Sequence, residues 1–232
     1  MRGGCVVATI FVNRLQFEPG GDFERYPRTL DRDLEMLERA GTDVVFAPDE
    51  GEMYPQPQEV FVAPPKIAST LEGDHRPGHF QGVTTVVAKL FNAVRPHIAV
   101  FGKKDYQQLL VISALEKQLN FGIRIIAGET MREPDGLAMS SRNGYLSPQE
   151  RAEAVRLNRN LTRIQEAVEK GSRDFAALEK DAIADLAQAG WRVDYVAVRN
   201  RETLGPPAKP GDLVVLGAAT LGKTRLIDNL ET

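Results

Sequence analysis

Short apolar runs alternate with helical segments through residues 1–130, and this alternation restricts the possible fold more than any other feature of the chain. Four runs of β-branched and aliphatic residues are typical of buried strands: CVVATIFV, DVVFAP, HIAVFG and IRIIAG. The segments between them place apolar residues at helical spacing, as Leu30, Leu34 and Leu37 do. Strands that alternate with helices form parallel sheets, so residues 1–130 are predicted to fold as an α/β domain.

The pattern changes at about Met131, where charged helical segments at 148–171 and 174–190 replace the alternation. Two strand-like runs follow, RVDYVAVRN and DLVVLGAAT, and the segment PPAKPGD between them is typical of a turn. Residues 131–232 are therefore predicted to form a second, smaller α+β domain.

Charge and cysteine content exclude several classes of protein. A formal net charge of −3 argues against a generic binder of nucleic acid or of membrane surfaces, because such proteins carry an excess of Lys and Arg. The single cysteine, Cys5, cannot form an internal disulfide, and no apolar run approaches the roughly 20 residues of a membrane-spanning helix. The first residues also lack the pattern of a secretory signal. We therefore expect the protein to reside in the reducing cytoplasm.

Residues 217–224, GAATLGKT, match the G-x-x-x-x-G-K-[ST] pattern of a phosphate-binding loop. Such a loop needs a following helix whose N-terminus faces the phosphates, and further strands that carry an acidic metal ligand. Only eight residues follow Thr224, so a phosphate-loop kinase is the hypothesis that the context favours least.

A better candidate motif, FGKKDYQQL, stands where the strand HIAVF ends and a helix begins. Ligands of open parallel sheets bind beyond the carboxyl ends of the strands. Two lysines, an aspartate and two glutamines at this place therefore point to an anionic, hydroxylated ligand. The alternative is an ordinary solvated turn.

A third motif, GLAMSSRNGYLS, combines two hydroxyls with Arg142, whose guanidinium matches phosphate oxygens in a fork. The alternative is a turn that caps the helix beginning at PQERAEA, and Ser147 is predicted to be this cap. Ser140, Ser141 and Arg142 lie too far upstream of the helix to cap it.

His75 and His79 have a spacing that can bind zinc on a helix. Pro77 and Gly78 between them break the helical geometry, and the sequence offers no third ligand. No metal site built from protein side chains is predicted.

Five segments, in this order and spacing, closely resemble the pantothenate synthetase family: IFVNRLQF, ERYPRTLDRDLEMLERAGTDVVFAP, LEGDHRPGHFQGVTTVVAKLFN, FGKKDYQQL and DGLAMSSRNGYLS. The resemblance extends to RLIDN near the end of the chain. It implies a Rossmann-like nucleotidyltransferase domain, a smaller C-terminal lid domain and a homodimer. It also implies a ligase on the route to coenzyme A. Pantoate reacts with ATP, which carries Mg²⁺ on its phosphates, to give pantoyl adenylate and pyrophosphate, and β-alanine then displaces AMP to give pantothenate.

The resemblance assigns roles to individual residues by position. Lys104, Ser140, Ser141 and Arg142 match the catalytic residues that hold the ATP phosphates, where fixed cations and donors stabilise the charge of the transition state. Further matches to ATP-binding positions are Gly102, Lys103, Asp105, Met131 and Met139. Matches to the pantoate and β-alanine sites are Asn13, Gln16, Tyr26, Arg76, Val83, Val87 and Gln108. For the two valines, a place in the plain core of a helix is the alternative.

Three departures from the family pattern stand out. Arg14 replaces a proline and Lys103 a glutamate, and each is expected to add positive charge near an anionic site while the loop at Arg14 loosens. The family also begins with a strand and an HxGH-type loop whose two histidines bind the phosphates, and the sequence has no match to either. The C-terminal segment GAATLGKTRLIDN is expected to be distant from catalysis, with Lys223 on the surface.

These departures leave two hypotheses beside the phosphate-loop kinase. In the first, the chain is a pantothenate synthetase whose first strand and histidine loop lie outside the sequence given. In the second, the chain is complete and is a pseudoenzyme that binds pantoate or nucleotide weakly. We expect slow turnover from the chain as given.

Overall fold

The computed structural model describes residues 4–18, 20–207 and 212–232, so part of the predicted PPAKPGD turn lies outside the described residues. Its helices are α1 (Leu30–Arg39), α2 (Glu50–Met53), α3 (Glu72–His75), α4 (His79–Val94), α5 (Tyr106–Leu119), α6 (Pro148–Glu153), α7 (Val155–Glu169) and α8 (Phe175–Gln188). Its strands are β1 (Val7–Thr9), β2 (Val44–Phe46), β3 (Ile98–Gly102), β4 (Arg124–Gly128), β5 (Arg192–Asn200), β6 (Leu213–Leu221) and β7 (Thr224–Glu231).

The first half of the chain contains two parallel strand pairs, β1 with β2 and β3 with β4. All four predicted apolar runs contain a strand, but β1 is only three residues long. Within the described residues no ladder joins one pair to the other. One face of β3 and β4 packs on α4 and α5, whereas Ile98, Val100 and Ile126 on the opposite face are exposed.

Helices α4 and α5 form the core of this half because their apolar residues recur at helical spacing. Ten largely apolar and aromatic residues are buried together here: Ala68, Phe80, Val83, Val86, Val87, Phe91, Val111, Ile112, Leu115 and Ile123. Helix α4 ends at Val94, where Arg95 adopts a left-handed conformation and Pro96, which disfavours a helical residue before it, follows.

The second half consists of the antiparallel sheet β5–β6–β7 with α7 and α8 packed against it. The central strand β6 is buried at every position. Sequence reasoning predicts only two strands in this half, β5 and β6, whereas a third strand, β7, pairs with β6 along nearly its whole length. Ser147 caps α6 as predicted, with a reciprocal bond from Ser147 N–H to Glu150.

A third apolar cluster joins the two halves. It brings Leu71 and Tyr106 from the first half together with Ala197, Val214 and Leu216 of the sheet. The architecture is thus α/β with parallel pairs, followed by a smaller unit built on an antiparallel sheet, which confirms the predicted fold class. No helix among residues 4–18, 20–207 and 212–232 has the length and apolar content needed to cross a membrane.

Candidate active site

The two halves of the chain enclose a cavity of about 470 Å³. Its wall combines the loop at 17–25, the turn after α3, the start of α5, the segment 137–145 and the strands β5 and β7. A smaller cavity adjoins it beside α4 and α5. Six residues that the resemblance assigns to substrates line one cavity or both: Arg76, Lys104, Asp105, Gln108, Ser140 and Arg142. Folding therefore brings three separate segments to one space.

Lys104 and Asp105 stand where the FGKKDYQQL motif is predicted to bind an anion. Strand β3 ends at Gly102, a single 3-10 turn covers Lys103–Asp105, and α5 begins at Tyr106. This is the carboxyl end of a parallel strand and the N-terminus of a helix, two places that favour anions. The amide of Asn229 in β7 donates hydrogen bonds to the carbonyls of Lys103 (2.9 Å) and Lys104 (2.8 Å), so the last strand holds this turn.

Lys103 and Arg14, the two added cations, are both paired with carboxylates. Lys103 Nζ lies 2.7 Å from Glu129 Oε1 and 2.7 Å from Glu231 Oε2, and these bonds raise the pKa of the Lys103 ammonium. Arg14 pairs with Glu50 at 2.9 Å and Glu24 at 3.3 Å. Neither residue lines the larger cavity. The charge that we expected these residues to add beside the ligand is therefore neutralised within the protein.

Arg142 extends from the segment 141–145, a 3-10 helix that begins after Ser140. Its guanidinium donates to both oxygens of Asp22, at 2.6 and 3.2 Å, and lies over the ring of Tyr26. Burial opposes ionisation of Asp22, but the bonds and charge of Arg142 outweigh it and lower the pKa of that carboxyl. Arg142 thus already binds an anion at the cavity wall.

The two serines of this segment have different surroundings. Ser140 lines the cavity, and its hydroxyl accepts a hydrogen bond from the Arg142 N–H at 3.2 Å. Ser141 is exposed, does not line the cavity, and donates to the hydroxyl of Tyr26 at 3.0 Å. Ser141 and Tyr26 therefore connect the Arg142 segment to the loop that carries Asp22.

Arg76 is held by neutral acceptors. Its Nη2 donates to the Gln16 carbonyl at 3.3 Å, and its Nη1 lies 3.2 Å from His79 Nε2. Burial, and then the nearby charge of Arg76, lower the pKa of His79 to about 4, so the ring is neutral at pH 7. The Nδ1 of His79 lies 2.9 Å from the Gln16 carbonyl and donates to it, which leaves Nε2 to accept from Arg76.

Several other assigned residues lie outside the two cavities. Asn13 is buried and bonded to Gln16, to the Gly82 carbonyl and to Tyr54, so it supports the loop that carries Gln16. Val83 and Val87 are buried in the core of the first half, as in the alternative interpretation. Met131 and Met139 are exposed neighbours, joined by the bond from the Met139 N–H to the Met131 carbonyl.

The segment GAATLGKT is a strand and a hairpin turn. Leu221 pairs with Thr224, so Gly222 and Lys223 form a two-residue turn between β6 and β7, and a strand follows where a phosphate loop needs a helix. This geometry excludes the phosphate-loop hypothesis. Lys223 is exposed as expected, but the prediction that this segment is distant from the site is wrong, because Lys223, Thr224 and Arg225 line the larger cavity.

Sequence reasoning did not assign His79, Asp22, Asn229 or Glu72 to the site region. His79 had one usable signal, its place at the start of an apolar helix directly after Gly78. The others carry no local signal, because their partners Arg142, Lys104 and Arg225 are separated from them by more than a hundred residues. Within the described part of the chain, no three metal-ligating side chains form a cluster.

Comparison with known proteins identifies the family. The family model "Pantoate-beta-alanine ligase" matches residues 2–231. The chain belongs to the pantoate–β-alanine ligase family. A pantothenate synthetase of Nitrosospira multiformis is 58% identical over 229 residues, which are 98% of this chain and 82% of that protein. One of Thiobacillus denitrificans is 58% identical over 231 residues, with 99% and 82% covered.

Solved structures of this ligase family have the same fold. The crystal structure of pantothenate synthetase from Thermus thermophilus matches with a TM-score of 0.93 at 44% identity, over 98% of this chain and 83% of that one. The ligase of Francisella tularensis, solved in complex with beta-gamma ATP and β-alanine, matches with a TM-score of 0.78 at 31% identity. That match covers 99% of this chain and 80% of the other.

Proposed function

We propose that the chain catalyses the ATP-dependent condensation of pantoate with β-alanine to pantothenate, through a pantoyl adenylate and with release of pyrophosphate and AMP. Membership of the ligase family supports this reaction. The observation that carries the proposal is the convergence of Arg76, Lys104 and Arg142, three cations from separate segments, on one cavity. A site for triphosphate and carboxylate needs such local cations, because the chain as a whole is slightly acidic.

In the first step the pantoate carboxylate attacks the α-phosphorus of ATP, and negative charge builds on the phosphate oxygens. Lys104, just before α5, and Arg142, from the segment 141–145, neutralise this charge from fixed positions on the cavity wall. Arg142 exchanges the carboxylate of Asp22 for a phosphate, which accepts the same forked pair of bonds. Ser140 adds a hydroxyl donor to the same wall.

Pantoate is proposed to lie between Gln16 and Gln108, whose amides hold a hydroxyl and a carboxylate without adding charge beside the nucleophile. Gln108 lines the smaller cavity together with Arg76 and Lys104. The amine of β-alanine then attacks the acyl carbon and displaces AMP. Gly102 and Asp105 are proposed to contact the ribose, and Met131 and Met139 the adenine, by analogy with the family.

Mg²⁺ is proposed to enter with ATP, bound mainly through the phosphates. Such a site needs only one or two protein carboxylates, and Asp22 and Asp105 both line the cavity. The residues present therefore fit a phosphate-borne cation. When bound, the ion would neutralise part of the phosphate charge.

The remaining proposals concern organisation. We propose a substrate-binding domain at 1–130 and a lid domain at 131–232, because the two largest apolar clusters fall on either side of this boundary. A homodimer and a cytoplasmic location are proposed by analogy with the family. Light scattering on the purified protein tests the dimer.

The experiment that tests the reaction measures AMP release by the full chain with ATP, Mg²⁺, pantoate and β-alanine, each left out in turn. AMP that forms only with all components supports the proposal. Binding of pantoate by calorimetry without any AMP would overturn it and identify a binding protein instead.

A further inference from the structure

The carboxylate of Glu72 is fully occupied by the second half of the chain. Arg225 in β7 donates to both of its oxygens, at 2.8 and 2.6 Å, and the hydroxyl of Tyr195 in β5 donates to one of them at 2.8 Å. A third bond of Arg225, to Asp194 at 2.7 Å, fixes the guanidinium. Burial alone would raise the pKa of Glu72, but the bonds and charge of Arg225, then the charge of Arg76 and the bond from Tyr195, outweigh it, and the pKa lies below its usual range.

Arg76 follows Glu72 by four residues and lies beside it. The closest approach is 3.6 Å between Arg76 Nη1 and Glu72 Oε2, which is longer than a direct hydrogen bond. The hydrogen bonds of Arg76 within the described residues go to neutral groups, the ring of His79 and the carbonyl of Gln16. Arg76 therefore shares the charge of Glu72 with Arg225 but forms no direct hydrogen bond to that carboxylate, and it lines both cavities.

A small movement of Glu72 would change this. A rotation of its side chain would shorten the contact with Arg76 to a direct ion pair, since the two already lie one helical turn apart. If Arg225 were removed, the buried carboxylate of Glu72 would move toward another cation, because an unpaired buried charge is energetically costly. The cation nearest to it would then be Arg76.

We infer that Arg225 is a positioning residue that prevents a direct hydrogen bond between Glu72 and Arg76, so that the guanidinium of Arg76 can bind the carboxylate of a substrate. Residues of the second half thus determine whether Arg76, a proposed binding residue of the first half, is paired directly with Glu72. Tyr195 acts in the same direction through its single bond to Glu72. The inference rests on the proposed function only in taking pantoate or β-alanine as the source of the carboxylate.

The test compares the unmodified chain with Arg225→Met, Glu72→Gln and the double variant. Binding of pantoate and of β-alanine is measured by calorimetry, and KM and kcat by AMP release. Arg225→Met should weaken binding of the acid that lies against Arg76 by roughly 10- to 100-fold, the value of a lost hydrogen bond to a charged group, with a much smaller change in kcat. In Glu72→Gln the carboxylate that could pair with Arg76 is absent, so the affinity for the acid should stay close to that of the unmodified chain.

The double variant decides between positioning and mere support of the fold. If Glu72 is the group that blocks Arg76, its removal restores the affinity lost in Arg225→Met. A double variant that binds no better than Arg225→Met overturns the inference. The matched control is Arg199→Met, which breaks an Arg–Glu pair with Glu179 within the second half and should leave the affinity unchanged.

If Arg225→Met does not fold, as judged by circular dichroism, Tyr195→Phe replaces it. This variant removes one donor to Glu72 and no charge, and its smaller loss of affinity should again be reversed by Glu72→Gln. No loss in Tyr195→Phe, or no reversal, overturns the inference in that case. Binding that follows the expected order without AMP release would refute the proposed reaction alone, whereas absence of binding by the unmodified chain would refute the inference.

Discussion

At the residue scale, the cations near the cavity differ in what surrounds them. Lys103 is paired with two carboxylates and Arg142 with one, whereas Lys104 has no ion pair within the described residues. A cation without a fixed anion partner contributes most to the binding of an incoming phosphate, because it breaks no ion pair within the protein when the phosphate binds. Lys104 is therefore the residue on which adenylation should depend most.

We predict that Lys104→Ala lowers kcat/KM for ATP by on the order of 10²- to 10³-fold, as loss of a fixed transition-state donor does elsewhere. Lys223→Ala is the control, since Lys223 also lines the cavity. Loss of this exposed side chain should cost less than ~1 kcal/mol of transition-state stabilisation, which is about fivefold in kcat/KM. Initial rates of AMP release measure both, and a larger loss in Lys223→Ala would contradict the assignment.

The buried ring of His79 gives the folded protein a pH dependence of its own. Its pKa is about 4 in the folded chain against 6.5 for an exposed histidine, so the unfolded chain binds a proton there that the folded chain does not. The neutral ring of His79 makes its full contribution to the free energy of unfolding above about pH 6.5, and this contribution is lost as the pH falls toward 4. The expected loss is up to ~3 kcal/mol.

Urea unfolding between pH 7 and pH 5 checks this prediction, because in that window most carboxylates remain ionised. In His79→Gln the decline of stability with falling pH should be clearly shallower. His97→Gln, which changes an exposed histidine, should keep the slope of the unmodified chain. Equal slopes in all three proteins would mean that His79 is not the group responsible.

At the element scale, helix α4 and the short 3-10 helix Arg14–Gln16 approach each other closely because Gly82 has no side chain. A Cβ at Gly82 would lie 2.3 Å from the Leu15 carbonyl oxygen, where a backbone group cannot give way cheaply. Asn13 completes the contact with a bond to the Gly82 carbonyl at 3.1 Å. The position of Gln16 at the proposed pantoate site therefore depends on this contact between two elements.

We predict that Gly82→Ala destabilises the fold by roughly 1–3 kcal/mol, the usual cost of overpacking, and raises KM for pantoate more than KM for ATP. Thermal unfolding and initial rates measure the two effects. Gly51→Ala is the control, since its Cβ meets only ordinary contact at 3.4 Å in the exposed helix α2. Unchanged stability in Gly82→Ala would show that the loop moves freely away from the helix.

At the scale of the whole molecule, strand β7 connects the antiparallel sheet to the turn at Lys103–Asp105 beside the cavity. It pairs with β6 and also carries Arg225, Asn229 and Glu231, which bond to Glu72, to the turn at Lys103–Asp105 and to Tyr106. The last strand of the chain thus organises groups in both halves. A site whose residues sequence reasoning takes from segments no later than Arg142 thus also depends on the last strand.

We predict that Asn229→Ala lowers kcat/KM for ATP by about tenfold, because two carbonyls of the Lys104 turn lose their donor. Gln165→Ala is the control, since it removes a bond to the same strand, at the Glu231 carbonyl, from within the second half. Its effect should be confined to stability, measured by thermal unfolding. Equal losses of activity in the two variants would argue that β7 acts only as support.

The sequence by itself determined the class of fold, the long helices and most of the strands. Apolar periodicity and helix-stop signals are local, so they predicted α1, α4 and α5 and the Ser147 cap correctly. The motif FGKKDYQQL predicts a binding region before α5, because a strand end followed by a helix N-terminus favours anions. The structure places Lys104 and Asp105 of this motif on the cavity wall.

Only the tertiary structure decided which of these residues share a cavity. It placed Asn13, Val83 and Val87 in supporting or core positions, neutralised Lys103, and brought the hairpin at Lys223 to the cavity wall. Each outcome depends on partners far away in the chain, such as Glu231 for Lys103 and Arg225 for Glu72. Burial and charge pairing depend on how the two halves pack, and no local pattern in the sequence encodes that packing.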